Sequence, residues 1–264
     1  MSDRPHILVE TEDGIATVRI DRPEARNAFN LQSVAELTDV ATRLRRDPHV
    51  RAVILTGGEQ GFSAGQDLSA RPAADPAETL VERRTRMQAG PDLARAWEEV
   101  EAVTIAAIEG YCIGGACALA LACDFRIMGA GAWFRLPEIP LGMNMPWRTL
   151  PRLTGLIGPA RAKRMTLFGD KVDAETAQSW GLADEVAPAG QALGAARDWA
   201  RTIAGLPPLA VRMTKEAINA AANALHPTAS YMDRDQYLLT SLSQDLQEGV
   251  SAFREKRVPR FTGN

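Results

Sequence analysis

Two segments of the sequence follow the same local order: a short apolar run, a glycine-bearing loop and the start of a helix. The first passes from residues 52–55 into 61–68, and the second from 104–108 into 110–116. Short apolar runs of this kind predict buried strands, and glycine lets the backbone approach a ligand closely. A helix start adds unpaired N–H groups and a positive dipole end, so two of them converging on one oxygen would form an oxyanion hole.

Each of these loops, taken alone, also has a purely structural explanation. Its glycines would let a helix pack closely against a strand and would do nothing else. A dinucleotide-binding turn is disfavoured for the second loop, because Gly110, Gly114 and Gly115 do not follow the Gly-x-Gly-x-x-Gly order. The oxyanion hole therefore needs support from the rest of the chain.

The remaining pattern predicts an α/β core with a helical C-terminal extension. The Asp13-Gly14 pair between alternating runs predicts a hairpin, and Asn30 is expected to cap a helix that ends at Asp47-Pro48. Segment 69–91 has the least regular pattern. Further strands are predicted over 51–56, 103–108 and 125–128, and helices over 114–122, 159–168, 173–180, 190–204, 208–222 and 233–255. We divide the chain into a core, residues 1–200, and a helical region, residues 201–264.

Composition excludes several classes of protein. The chain has 264 residues, of which 45% are hydrophobic and 24% charged, which is ordinary for a globular protein. A net charge of −3 argues against nucleic acid as a partner, and the longest apolar stretch, 105–123, is interrupted by Glu109 and two glycines, which argues against a membrane span.

The cysteines and histidines indicate neither a disulfide framework nor a metal site. Three cysteines at positions 112, 117 and 123 are an odd number with no zinc-like spacing, so we expect reduced core thiols in a cytoplasmic protein. The start of the sequence also lacks the layout of a secretory signal. His6, His49 and His226 fall in no motif, and we expect all three in solvent or loops.

Eight segments, in order and along nearly the whole chain, together resemble the crotonase family, also called the enoyl-CoA hydratase/isomerase superfamily. They are DRPEARNAF (21–29), GFSAGQDL (61–68), GYCIGG (110–115), CD (123–124), LPEIPLG (136–142), IGPARA (157–162), AETA with WGLADEV (174–177 and 180–186) and FREKR (253–257). The resemblance implies an enzyme whose core is a spiral of repeated ββα units. It also implies C-terminal helices that assemble a homotrimer, often paired into a hexamer.

The resemblance further implies an acyl-CoA substrate, with coenzyme A present only as part of that substrate and no tightly bound cofactor or metal. The thioester carbonyl would accept hydrogen bonds from the backbone N–H groups of Gln66 and Gly115. These bonds would strengthen as the carbonyl becomes enolate-like. Coenzyme A contacts are implied for Arg26, Ala28, Ala64, Gln66, Asp67, Leu68 and, from a neighbouring subunit, Lys256.

The sequence departs from the hydratases of this family at one catalytic position. Those enzymes use two glutamates to add water, and here the first position is Ala118, which leaves Glu138 alone. The loop after Glu138 has large side chains, including that of Trp147, where the hydratases of this family have glycine. A single carboxylate suits isomerisation, in which one group moves a proton between two carbons. Hydration with Glu138 alone, other CoA-linked lyase or hydrolase chemistry, and a non-catalytic acyl-CoA binder stay open as alternatives.

Several other side chains have open roles. Asp67 is expected to cap the helix after its loop, with a role in the chemistry as the alternative. Asn144 is expected to bond a local turn, or to bind the acyl group or a water. The basic cluster at 83, 84 and 86 is expected to be a solvated helix face, with a ligand phosphate as the alternative. Two apolar stripes need a partner surface, which a neighbouring subunit would provide in part. They are Leu209, Met213, Ala217 and Ala220, and then Tyr237, Leu238, Leu242 and Leu246.

Overall fold

A computed structural model describes residues 4–68 and 77–264 of the chain. Part of the irregular segment, residues 69–76, lies outside the described residues. The described strands are β1 (Ile7–Glu12), β2 (Ile15–Ile20), β3 (Ala52–Thr56), β4 (Val103–Ile108), β5 (Tyr111–Ile113), β6 (Phe125–Gly129), β7 (Trp133–Arg135), β8 (Val172–Asp173) and β9 (Glu185–Ala187). The described helices are α1 (Leu31–Arg45), α2 (Leu80–Arg86), α3 (Ala89–Glu98), α4 (Gly115–Ala122), α5 (Thr149–Phe168), α6 (Ala174–Trp180), α7 (Ala192–Ala204), α8 (Pro208–Ala222), α9 (His226–Ala229), α10 (Asp233–Ser241) and α11 (Gln244–Glu255).

The larger sheet has the strand order β1-β2-β3-β4-β6-β9 and is buried on both faces at its centre. Its first pair is antiparallel and the later pairs are parallel. Alternate residues of β3 face opposite ways: Val53 and Leu55 pack in one core cluster with α1, α3 and α4, while Ala52 and Ile54 pack with α7. Cover on both faces explains why this strand is apolar from residue 52 to residue 55.

The smaller sheet, β5-β7-β8, results from a repeated strand–strand–helix unit. The unit occurs as β1–β2–α1, β4–β5–α4 and β6–β7–α5, which confirms the predicted ββα repeats. In the second and third units the first strand joins the large sheet and the second strand joins the small one. The small sheet was not predicted, because its strands have only two or three residues each. Pairing within this small sheet fixes the positions of the C-terminal ends of β5 and β7.

The local predictions for the first half of the chain are confirmed. Asp13 and Gly14 both have positive φ, 51° and 77°, which is the two-residue turn that suits a hairpin. The side chain of Asn30 accepts the N–H of Ser33 at the start of α1. The strands predicted over 51–56, 103–108 and 125–128 correspond to β3, β4 and β6 within one residue at each end.

The C-terminal half differs from the prediction in three places. Helix α5 begins at Thr149 and breaks at Gly158, which has a φ of 76°. The helix predicted over 233–255 is two helices, because Ser243 caps the start of α11 through the N–H of Leu246. The predicted boundary at 200/201 falls inside α7, and the division into two regions stays a prediction.

The second apolar stripe is covered in part by its own chain, while Leu242 within it is 50% exposed and its cover by a partner stays a prediction. Tyr237 and Leu246 are buried in the same chain, where they pack against Leu141 and Met143. The first stripe is different, since Leu209 and Met213 are 71% and 60% exposed. Helices α10 and α11 therefore return to the core, whereas α8 presents apolar surface to solvent.

Two histidines are buried, which corrects the expectation that all three lie in solvent or loops. His6 lies beside the hydroxyl of Ser33, with 3.1 Å between Nδ1 and Oγ. His226 lies 3.6 Å from Glu98, and burial lowers the pKa of its imidazole. The three cysteines are buried free thiols, as predicted. Among the described residues, no helix is long and apolar enough to cross a bilayer.

Candidate active site

The first glycine loop is fixed to the second by backbone pairing. Ser63 donates its N–H to the carbonyl of Tyr111 at 3.1 Å, and its own carbonyl accepts from Ile113 at 3.1 Å. The amide of Asn27 holds the base of the loop by donating to the carbonyl of Gly57 at 2.7 Å. The two predicted loops are thus adjacent, as an oxyanion hole requires.

Pairing with Phe29 sets the direction of the Gln66 N–H group. The N–H of Phe29 donates to the carbonyl of Gly65 at 2.7 Å, and the N–H of Asp67 donates to the carbonyl of Phe29 at 2.9 Å. In a parallel pair of this kind, the polar groups of the residue between, Gln66, point to the opposite side. A Cβ built on Gly65 would lie 2.2 Å from the carbonyl oxygen of Ile113 and 3.2 Å from the nitrogen of Gly115.

Gly115 is the first residue of α4, so its N–H has no acceptor within the helix. Neither this N–H nor that of Gln66 has a hydrogen-bond acceptor among the described residues. Both residues line one cavity of about 70 Å³. Two unpaired donors at the wall of one cavity can stabilise a developing oxyanion.

Glu138 brings a carboxyl group to the same cavity. It follows β7 and precedes a short 3-10 turn at Ile139–Leu141. A Cβ on Gly114 would lie 2.5 Å from its Oε1, so glycine is needed there for the carboxyl to approach. Its Oε2 is buried with no hydrogen-bond partner in the described chain, and burial raises its pKa to about 7, against a smaller lowering effect of its own backbone N–H.

No other acidic side chain lines this cavity among the residues that the structure describes. Ala118, where the resemblance implies a glutamate in hydratases, is fully buried in the main core cluster. The side chain of Trp147 occupies the space over the second glycine loop, since a Cβ on Gly115 would lie 3.1 Å from its ring. A carboxyl with a pKa near neutrality can both take and return a proton.

Trp147 also separates this cavity from a second one of about 120 Å³. The two cavities share Gln66, Pro146, Trp147 and Tyr237. The indole stacks on Phe29 with ring centroids 6.1 Å apart, and its backbone has a φ of 68°, a strained conformation for a bulky residue.

Tyr237 is the functional-site residue that the sequence did not identify. It lies on α10, and its hydroxyl donates to the side-chain oxygen of Gln66 at 3.3 Å. From the sequence, its position in an apolar stripe predicted only that its side chain packs against another surface. Contact with a loop about 170 residues earlier leaves no local signal.

The structure brings Ala64, Gln66 and Leu68, three of the predicted coenzyme A contacts, together at the first cavity. The carbonyl of Arg26 accepts from Ala64 at 3.1 Å, while its guanidinium lies over the ring of Tyr111. The roles of these side chains toward coenzyme A stay predictions.

Three other predicted contacts lie elsewhere. The carbonyl of Ala28 accepts from Arg22 at 2.9 Å, and the same guanidinium pairs with Asp67 at 2.7 Å. Asp67 lines the second cavity, and the helix it was expected to cap would begin outside the described residues. Lys256 is exposed at the C-terminal end of α11 and does not line either cavity.

Two open assignments are corrected by contacts across the fold. Asn144 bonds neither a local turn nor the cavity, because its side-chain amide donates to Gln236 on α10 at 2.9 Å. The basic cluster is not simply solvated: Arg84 pairs with Asp235, and Arg86 pairs with Glu78.

Comparison with known proteins identifies the family to which the chain belongs. The sequence model of the family described as enoyl-CoA hydratase/isomerase matches residues 10–264. A probable enoyl-CoA hydratase of Mycobacterium tuberculosis is 38% identical over 97% of both chains, and a 1,2-epoxyphenylacetyl-CoA isomerase of Escherichia coli is 35% identical over 97% of this chain and 98% of its own. The crystal structure of an enoyl-CoA hydratase from Mycobacterium avium subsp. paratuberculosis superposes with a TM-score of 0.87 at 26% identity, covering 97% of this chain and 98% of that one.

Proposed function

Because the chain belongs to the enoyl-CoA hydratase/isomerase family, we propose that it isomerises enoyl-CoA thioesters by moving a proton through an enolate. The chain is an enzyme of this family, so the non-catalytic alternative is not carried further. The observation that supports isomerisation is the buried carboxyl of Glu138, the one acidic side chain that the described residues bring to this cavity, beside two N–H groups with no acceptor among them. The acyl-CoA substrate is consistent with the names of the relatives.

The reaction needs one group that takes a proton and gives it back. The carboxylate of Glu138 removes a proton from the α-carbon of a β,γ-unsaturated thioester, and the electron pair moves through the conjugated system to the thioester oxygen. The N–H groups of Gln66 and Gly115 donate to that oxygen. The carboxylic acid then returns the proton to the γ-carbon as the carbonyl re-forms, which leaves the double bond conjugated.

Hydration with Glu138 alone is the second candidate, and the hydratase named among the relatives favours it. Adding water requires a group to orient and deprotonate the water and a group to protonate the α-carbon. Ala118 supplies neither. A single carboxyl would then have to perform both steps in sequence.

A substrate panel separates the two candidates. We expect rapid conversion of cis- and trans-3-enoyl-CoA to the conjugated isomer and slow hydration of trans-2-enoyl-CoA of the same chain lengths. Absorbance of the conjugated thioester and product chromatography would report both reactions in parallel. Robust hydration by the unmodified protein would overturn the ranking, since it would mean that one carboxyl suffices to place the water.

Isomerisation should depend on pH through Glu138. Its pKa is raised by burial to about 7, and the base must be ionised to start the reaction. We expect kcat/KM to rise with pH through about 7 and to fall as the carboxyl is protonated below it. A profile whose acid limb lies near pH 4.5, the usual range of a glutamate, would contradict this assignment.

We also propose that the enzyme assembles as a homotrimer or as a hexamer of two trimers. Leu209, Met213 and Ile218 on α8 are 71%, 60% and 60% exposed in the single chain, an apolar face that calls for a partner. Sedimentation equilibrium at micromolar concentration should give a trimer or hexamer mass, and a clean monomer would contradict the proposal. A reducing cytoplasm suits its three buried thiols.

A further inference from the structure

Arg83 places a positive charge at the wall of the second cavity, and no carboxylate among the described residues forms an ion pair with it. Glu78, whose pKa is lowered chiefly by Arg86 and less by Arg83, has its carboxylate bound to Arg86. The side chain is half-buried, and the one hydrogen bond it makes to the described residues is long, 3.4 Å from Nη2 to the hydroxyl of Ser241. Its Nε is buried with no acceptor among the described residues. A guanidinium withdrawn from water is costly unless an anion pairs with it.

The other charges at this cavity are already paired. Arg86 holds both oxygens of Glu78, at 2.8 and 2.9 Å. Asp67 is paired with Arg22 at 2.7 Å. The unbalanced charge on the described wall of the second cavity is therefore that of Arg83.

The residues that line the two cavities indicate which ligand could bring an anion to Arg83. The second cavity lies beyond Trp147 and Tyr237 as seen from Glu138, and it shares those residues with the first. Much of its remaining wall is apolar, including Phe29, Val34 and Met87. A ligand that fits this cavity places methylene groups against the apolar wall and an anionic group at the guanidinium. A guanidinium binds a carboxylate through two parallel hydrogen bonds, so a carboxylate suits this position.

We propose that the second cavity receives the far end of the acyl group and that Arg83 binds a carboxylate there. The preferred substrates are then CoA thioesters of dicarboxylic acids. This inference rests on the proposed function, because it takes the thioester to lie between Glu138 and the two N–H donors.

The test compares two six-carbon 3-enoyl-CoA substrates, one ending in a carboxylate and the other in a methyl group. We expect the unmodified enzyme to prefer the carboxylated substrate at least about tenfold in kcat/KM. Arg83→Gln should lower kcat/KM for that substrate by about 30-fold or more, as expected when one partner of a buried charge pair is removed, and should leave the methyl-ended substrate within about threefold. Arg84→Gln is the matched control, since Arg84 lies next along α2, pairs with Asp235 and lines neither cavity.

Three results would overturn the proposal. The first is a higher kcat/KM of the unmodified enzyme for the methyl-ended substrate. The second is an equal loss of kcat/KM on both substrates in Arg83→Gln. The third is a weakening of free coenzyme A binding in Arg83→Gln as large as the loss on the carboxylated substrate, which would assign the arginine to a coenzyme A phosphate. If neither substrate is turned over, the proposed function fails. Calorimetric binding of the two saturated analogues then decides the subsite alone: tighter binding of the carboxylated analogue that Arg83→Gln abolishes supports it, and equal binding overturns it.

Discussion

Replacing Glu138 by glutamine is expected to reduce turnover by roughly 10²–10⁴-fold, the usual contribution of a positioned acid/base. Glutamine keeps the size of the side chain beside Gly114 but cannot take up and release the proton. Binding of a saturated acyl-CoA should be nearly unchanged, because the two N–H donors are untouched. Steady-state kinetics with 3-enoyl-CoA and calorimetry with the saturated analogue measure the two effects separately.

Glu109→Gln is the matched control for this substitution. Glu109 is also a buried glutamate, but it accepts the N–H of Ala192 at 2.9 Å and lines neither cavity. We expect it to keep its turnover, since a glutamine oxygen can accept the same bond. Near-normal activity of Glu138→Gln on every enoyl-CoA tested would contradict the assignment, and Asp67 at the second cavity would be the next carboxyl to examine.

Gly65→Ala is expected to lower kcat by about 10²–10³-fold, the loss typical for one oxyanion donor. Gly65 has a φ of 79°, and its new Cβ would lie 2.2 Å from the carbonyl oxygen of Ile113, which is backbone and cannot swing aside. The loop must shift instead, and the next residue, Gln66, carries the donor. Steady-state kinetics and the thermal midpoint, measured together, separate loss of the site from loss of the fold.

Gly58→Ala tests whether the clash or the backbone conformation is responsible. Gly58 has a φ of 84°, and a Cβ there would meet nothing within 4 Å. This variant should pay the same left-handed backbone cost, about 1–2 kcal/mol of stability, and keep its activity. Equal loss of kcat in the two variants would show that the Ile113 contact does not position the donor.

Much of the fold could be predicted because its signals are local. Asp13-Gly14 specifies its turn by positive φ, Asn30 caps a helix with its own side chain, and β3 and β4 are apolar because both faces are covered. At the site, Gln66, Gly115 and Glu138 were found through their motifs, and the structure places all three at one cavity.

The rest depends on contacts between distant parts of the chain. The three-residue strands β5 and β7 are held by each other, by β8 and by the loop at Ser63, and they carry too little periodicity of their own to be recognised. His226 is buried because Glu98 and the surrounding helices cover it, not because of its sequence neighbours. Tyr237 looks like any apolar helix residue until α10 is placed against the Gln66 loop.

The place of α10 against that loop has a consequence for the order of events during synthesis. Glu138 leaves the ribosome about 100 residues before Tyr237, and elongation at about 5–20 residues per second turns this separation into roughly 5–20 s. During that interval the sheet and both glycine loops can already be paired, while the wall supplied by Tyr237, and the packing of Leu246 on Leu141 and Met143, are still missing. A nascent chain would thus hold its acid/base in an unfinished, water-accessible pocket, and the last helices to emerge would close it.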